Sequence, residues 1–316
     1  MLRYIARRLL LAIPVLWGAA TIVFFVIRAV PGDIILAKME GEFSANPAQL
    51  AQARAALGLD KPIYFQYFRW LGQLSHGDLG TSMNTFHPVA RNIAERIPVT
   101  LELAILGLLF GILISLPCGI LSALFQDSVL DHLLRIGSIA ALSVPSFVIA
   151  TLILLFPALW WNYYPPLGYV NVWDEPMANL KIMMPAAIAV GAILAGQSTR
   201  MTRAMMLEVI HSDYIRVARA KGLRESVVIL RHALRNALIP VITLWGSSFA
   251  ALLGGTVVVE IIFSLPGIGQ LTLQAIQIRD YTQLQGNVLF FAFILVMFNL
   301  LTDLMYGVLD PQIRYA

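Results

Sequence analysis

The chain has 316 residues, 59% of them hydrophobic and 13% charged, with a net charge of +4. A soluble domain carries about one quarter charged residues, so this composition excludes a water-solvated globule and makes lipid the solvent for much of the chain. The single cysteine, Cys118, excludes an intrachain disulfide, and the five histidines show no ligand-like pairing, so no metal centre is expected. The basic excess lies beside apolar runs, where membrane orientation accounts for it, and no nucleic acid partner is expected.

Arg3, Arg7 and Arg8 precede an apolar run over residues 9–30. About 20 apolar residues cross the hydrocarbon core. The stretch Ile27-Arg28-Ala29-Val30-Pro31 lacks a small-residue cleavage site, so the run is an uncleaved first span rather than a signal peptide. Arg28 near its outer end is expected to snorkel. Residues 31–98 form a long outer segment. A helix is predicted over 47–58, opened by Pro47 and closed by Gly58. Tyr64, Phe65, Tyr67, Phe68 and Trp70 read as an interfacial helix, or as part of a surface met by an external partner.

A second span is predicted over 99–125, with Pro117 and Gly119 as a kink. A polar turn follows over 126–134, then a third span over 136–160 with Pro145 inside it. An outer loop covers 164–183. The fourth span, 184–207, has a polar second half and is expected to run directly into the basic stretch that follows. The fifth and sixth spans cover 238–263 and 286–308. Gly254 and Gly255 suit close helix approach, and 265–269 is a turn. Three polar groups near the ends of these spans are pathway or structural candidates. Glu260 lies near the outer end of the fifth span, and Asn299 and Asp303 lie one turn apart in the sixth.

Residues 212–240 are too charged to lie in lipid. Arg216, Arg219, Lys221, Arg224, Arg231 and Arg235 face only Asp213 and Glu225. The stretch nevertheless has folding signals. Asp213 can cap a helix, and Tyr214, Val217, Ala218 and Lys221 recur at three- and four-residue spacing. Gly222 stops the helix, and a second helical run over 225–237 ends before Pro240. Between spans four and five this basic elbow reads either as a loop that only sets orientation or as a docking element for a soluble partner; its order favours docking, since an orientation loop needs neither cap nor stop. The proposed inner segments hold Arg3, Arg7, Arg8, Arg135, Arg200, Arg203, the elbow residues and Arg314, whereas the short outer loops hold only Lys181 and Arg279. Both termini are therefore predicted on the cytoplasmic side.

The chain has no phosphate loop of the Gly-x-x-x-x-Gly-Lys-Ser/Thr type, no Gly-x-Ser-x-Gly elbow and no His-Glu-x-x-His pair. The spans carry no row of Asp, Glu or His suited to a proton relay. A conduit without an internal energy source needs an external one. The alternatives are a self-contained secondary carrier or channel, a membrane scaffold and a membrane-embedded enzyme; the last is disfavoured by the absence of a polar catalytic cluster.

The run from Asp213 through Tyr214, Arg216, Val217, Ala218, Arg219, Lys221 and Gly222 to Leu223, with Arg231-His232-Ala233-Leu234-Arg235-Asn236-Ala237 and Pro240, resembles the EAA loop of ABC importer permeases, in the version of the dipeptide/oligopeptide/nickel family. Val217 stands where that branch usually has Thr. Further resemblance lies in Pro31-Gly32-Asp33, Leu57-Gly58-Leu59-Asp60, Gly77-Asp78-Leu79-Gly80, Arg96-Ile97-Pro98-Val99-Thr100-Leu101, Ser143-Val144-Pro145-Ser146-Phe147, Arg279-Asp280-Tyr281 and Leu309-Asp310-Pro311. The resemblance implies an all-α membrane protein, a six-helix type I permease bundle with an extended periplasmic segment. Its parts would be residues 1–30 (N-terminus and first helix), 31–98 (periplasmic segment) and 99–316 (a five-helix core containing the coupling loop 212–240). It also implies an importer of di- or oligopeptides or a similar solute in a bacterial inner membrane. The implied partners are a second related permease, two cytoplasmic ATPase subunits and an external substrate-binding protein. ATP and magnesium would bind the ATPase subunits, and this non-catalytic chain would bind no cofactor.

Overall fold

The computed structural model describes the backbone of residues 2–29, 60–164 and 166–309, and side chains within 8–29, 60–164 and 166–301. The helix expected over 47–58 lies outside the described residues. Among the described residues every regular element is helical. In chain order these are α1 (Leu2–Ala29), α2 (Ile63–Ser75), α3 (Val89–Leu124), α4 (Val129–Ser143), α5 (Ser146–Trp161), α6 (Pro176–Ile210), α7 (Asp213–Ala220), α8 (Glu225–Ile262), α9 (Ile268–Gln277) and α10 (Tyr281–Leu309). Parts of α1, α3, α6, α8 and α10 are long and apolar enough to cross a membrane, and α4 with α5 makes a sixth candidate, bent by 103°. The chain is a multi-pass membrane protein.

Several boundaries differ from expectation, and proline explains two of them. Residues 136–160 do not form one span with Pro145 inside. Val144 is extended (φ −93°, ψ 121°), as the residue before a proline prefers, and the helix restarts behind Pro145. Pro240 behaves oppositely: the second elbow helix does not stop before it but continues to Ile262. An interrupted helix in lipid leaves carbonyls without partners, so carrying a proline through is tolerated. A wide π turn, Val228–Ala233, precedes it in α8. The turn after the second span is also shorter than expected. Ser128 caps α4 by accepting the Asp131 N–H at 3.2 Å, so Asp131 and His132 are helical. The α6 helix begins eight residues before the predicted span, and α9 is an additional helix.

Two compact units share these helices. The first comprises 1–8, 98–270 and 294–316; the second comprises 9–97 and 271–293. The core of the first is built around α6, which is buried along much of its length from Asn179 to Met206. Its first half, Ile182 to Val190, packs with Val99 and Leu103 of α3, Ala150 of α5 and Val259 of α8. Glycines set the α3–α6 spacing. A Cβ on Gly191 would lie 2.4 Å from the Gly107 carbonyl oxygen, and one on Gly119 would lie 2.5 Å from Thr202 Cβ. The pair expected to allow close approach does not: Gly254 and Gly255 meet nothing within 4 Å.

In the second unit an aromatic group fastens α2 to α1. Tyr67 is buried, 5.2 Å from the Phe24 ring and 5.6 Å from Phe25, and its hydroxyl bonds Thr21 at 2.8 Å. Arg28 does not simply reach for water: its guanidinium lies 3.6 Å over the Phe24 ring and donates to Gln66 at 3.2 Å. A polar ladder runs through the same unit. Asp280 caps α10 by accepting the Gln283 N–H at 3.0 Å and accepts from Ser82 at 2.6 Å. Asn92 donates to Gln283, Gln283 to Asn287 and Asn287 to Thr272, at 2.7, 2.8 and 3.1 Å.

Candidate functional site

The basic elbow folds as helix, glycine turn, helix. Ser212, not Asp213, is the residue before α7, and its side chain makes no capping bond to the helix. Asp213 sits in the first turn and pairs with Arg216 at 2.9 Å, both strongly exposed. A carboxylate there still complements the positive helix end. The expected single face of Tyr214, Val217, Ala218 and Lys221 divides in two. Ala218 joins Ile215 on the buried side, whereas Tyr214, Val217 and Lys221 stay in solvent. The reason is what lies beneath. Ile215 and Ala218 sink into a cluster of Ala123 of α3, Met206 of α6 and Val228, Ala233 and Ala237 of α8.

Gly222 has φ +75° with open space around its Cα, so conformation alone requires glycine. Across this turn Arg219 forks onto Glu225 at 2.7 and 3.2 Å, and that hydrogen bond raises the guanidinium pKa. Asn236 donates to the Tyr214 hydroxyl at 2.8 Å. The elbow is thus a rigid, apolar-rooted projection. Its free surface offers Tyr214, Val217 and Leu223 (42%, 53% and 41% exposed) among Arg216, Arg219 and Lys221. Exposed apolar groups ringed by cations suit a protein partner better than water.

The second candidate, Glu260, is fully buried. Thr100 donates to its Oε1 at 2.8 Å, and the backbone N–H of Gln270 donates to Oε2 at 3.1 Å. The Thr100 hydroxyl also accepts the Ile268 N–H at 2.9 Å. The carboxylate therefore sits at the start of α9, where unpaired N–H groups point outward. A Cβ on Gly267 would meet the Glu260 carboxylate at 2.3 Å, so glycine makes room for it. This arrangement joins α3, α8 and α9, and leaves Glu260 enclosed. Asn299 is exposed on α10, and the Asp303 side chain lies outside the described residues. Two residues along α3 from Thr100, Glu102 accepts a hydrogen bond from the Tyr169 hydroxyl at 2.9 Å. Burial, then that carboxylate, pushes the phenol up to about 12.

Sequence reasoning missed one feature altogether. Asp131 of α4 is fully buried and receives a two-pronged bond from Arg203 of α6, Nε at 2.8 Å and Nη2 at 2.7 Å. Ser122 of α3 donates to the same carboxylate, as does the Asp127 N–H at 3.0 Å. The charge pattern did not single the pair out: Asp131 lies four residues from both Asp127 and Arg135, and Arg203 three from Arg200, so nothing in the sequence marks the two as partners. Among the described residues no group of three acidic, histidine or cysteine side chains could hold a metal ion.

Comparison with known proteins matches this chain to two family models. Residues 115–315 fit the binding-protein-dependent transport system inner membrane component, and residues 1–104 fit the N-terminal model of the same membrane component. The dipeptide transport system permease protein DppB of Escherichia coli (strain K12) is 38% identical, with 100% of this chain and 99% of that protein covered. The glutathione transport system permease protein GsiC of Pectobacterium atrosepticum is 37% identical over 100% of both. Among solved structures, the inward-facing MetNI methionine ABC transporter aligns with a TM-score of 0.57 at 16% identity, covering 69% of this chain and 96% of that one. The fold is that of type I ABC importer permeases, and the self-contained carrier finds no support. The chain belongs to the binding-protein-dependent transport system inner membrane component family, as a non-catalytic permease subunit of an ABC importer.

Proposed function

We propose that this chain forms half of the translocation pathway of a bacterial peptide importer, and that α7 is the part an ATPase subunit grips. The observation that carries the reading is the elbow's division into a buried root, Ile215 and Ala218, and an exposed apolar and cationic tip, Tyr214 to Leu223. A loop serving only orientation has no need of either. Asp213, Tyr214, Arg216, Val217, Arg219, Lys221 and Leu223 supply the contact surface. Ala218 and Gly222 hold its shape.

In this reading two ATPase subunits bind ATP and magnesium, close on one another and push the elbows of this chain and of a second, related permease. The termini and the elbow face the cytoplasm, residues 31–98 face the periplasm, and residues 99–316 form the core that an external binding protein loads. DppB is named for dipeptide and GsiC for glutathione transport. Both solutes are short amide-bearing molecules, which supports a small peptide as the cargo.

The test is co-purification from mild detergent of the four membrane and ATPase components, with Arg216→Glu/Lys221→Glu and Val217→Asp. We expect each variant to insert normally and to lose ATPase subunits at least tenfold, because placing like or unpaired charge in an interface costs several kcal/mol. Retention of the ATPases at wild-type yield would overturn the docking role.

A further inference from the structure

Three helices converge where the elbow is rooted. On α3, Ser122 lies next to Ala123, which belongs to the elbow's apolar root. On α6, Arg203 precedes Met206, another member of that root, by one turn. The remaining partner, Asp131, belongs to α4, which contributes nothing to that apolar cluster. Four donors meet on the Asp131 carboxylate: the Ser122 hydroxyl, the Asp127 N–H and both prongs of Arg203.

The helices α4 and α6 are also closely seated. A Cβ on Gly196 would lie 2.7 Å from the Ser138 carbonyl oxygen. The step from Gly196 to Arg203 on α6 is seven residues, and the step back from Ser138 to Asp131 on α4 is also seven. The two contacts are therefore the ends of one antiparallel, two-turn seam. Beyond it α4 runs to the break at Val144–Pro145, where the chain turns by 103° into α5. The first turns of α5, through Ile149, Ala150 and Ile153, pack against the first half of α6.

Apolar contacts are non-directional, and helices held by them slide past one another when pushed. A guanidinium forked onto a carboxylate fixes both distance and direction. Buried pairs of this kind give little net stability over apolar replacements of similar size, so stability is a poor reason for placing one here. Position is a better one. The pair is the polar crosslink between the elbow's root and an arm that ends at a hinge.

We propose that Asp131 and Arg203 are positioning residues that make α4 move with the elbow, so that displacement imposed at Asp213–Leu223 is delivered to the α4–α5 break at Val144–Pro145. This rests on the docking role proposed above for α7. The elbow then moves two things at once. It tilts α6 directly, and through Asp131 it draws α4 along instead of letting it slip.

The experiment uses the complete transporter in nanodiscs, in a Cys118→Ser background. Spin labels are placed at Leu133→Cys on α4 and Ser226→Cys at the start of α8, both exposed. Label distances are read without nucleotide and after trapping with ATP and vanadate. With the pair intact, we expect the same single distance in both states. In Asp131→Leu/Arg203→Met, which removes the fork but keeps apolar volume, we expect trapping to add a displaced population. Arg203→Lys, which keeps the charge and loses the fork, should lie between, and it carries the test if the double variant does not assemble. A distance that shifts on trapping with the pair intact, or one that stays fixed in the variants, overturns the proposal. Failure of the docking role is seen separately, as ATPase subunits that do not co-elute with the unsubstituted chain.

Discussion

Asp131–Arg203 and Arg219–Glu225 are the same chemical object in different surroundings. Each is a two-pronged guanidinium–carboxylate bond, with distances of 2.7–2.8 Å in the first and 2.7–3.2 Å in the second. Asp131 is fully buried and Arg203 20% exposed, whereas Arg219 and Glu225 are 40% and 54% exposed. Removing one member of a buried pair leaves a charge that cannot be rehydrated. Removing one member of an exposed pair leaves a charge that water takes over. The same geometry is therefore a fixed joint inside the helices and a dispensable brace at the elbow. The first lies within a few turns of the surface proposed for the ATPase, and the second belongs to it through Arg219.

The largest expected effect tests the buried half of that comparison. Arg203→Met should cost about 3–5 kcal/mol, because it leaves the buried Asp131 carboxylate without its countercharge. The double variant Asp131→Leu/Arg203→Met should recover most of that loss. The measurement is the apparent melting midpoint in detergent by size-exclusion chromatography of a fluorescent fusion, at matched protein concentration. A single variant as stable as the unsubstituted chain would mean that the joint is wet, and the contrast with the elbow would collapse.

Next in size is a steric test at the other buried carboxylate. Gly267→Ala places a methyl group against Glu260, which is held by Thr100 and by the start of α9 and has little room to yield. Overpacking of this kind costs about 1–3 kcal/mol. Gly255→Ala, at a position with nothing within 4 Å, is the control and should leave the midpoint unchanged. Equal behaviour of the two would show that Glu260 is loosely held. Smaller again is Gly222→Ala. The only penalty is the left-handed backbone, about 1–2 kcal/mol at a single residue, and it should appear as faster proteolysis at the elbow with the spans intact.

How much of this was legible in the sequence follows the physics of each signal. Apolar length and charge bias are properties of contiguous residues, so the spans, the elbow and its glycine stop are readable from the chain alone. Proline is ambiguous because its effect depends on what surrounds the freed carbonyl. Hence Pro145 was expected within a helix and breaks one, while Pro240 was expected to end a helix and lies inside one. Glu260 was visible as an acid at membrane depth, but its partners Thr100 and Gln270 are 160 residues before it and ten after it. The 72 residues between Asp131 and Arg203 hid that pair in the same way. Small residues misled for a related reason. Gly254-Gly255 stands out in sequence, yet scattered glycines such as Gly107, Gly119, Gly191 and Gly196 meet a neighbouring helix.

The exposed pair gives the smallest expected effect, and it sharpens the comparison because the expected result is near zero. Glu225→Gln keeps the shape of the side chain and the hydrogen bond to Arg219 while removing the charge. Exposed ion pairs are screened by water and salt and often contribute nothing measurable. The melting midpoint should therefore match that of the unsubstituted chain, at low salt and at high. The elbow keeps its form through Ile215 and Ala218, which stay buried, and through the Asn236–Tyr214 bond, which the substitution does not touch. ATPase co-purification should hold for the same reason, since Arg219 keeps its charge and its place on the exposed face. If Glu225→Gln instead releases the ATPase while the midpoint stays put, the fork sets the angle of α7 rather than its stability. The elbow would then carry a positioning pair of its own, and burial would no longer separate the two forks.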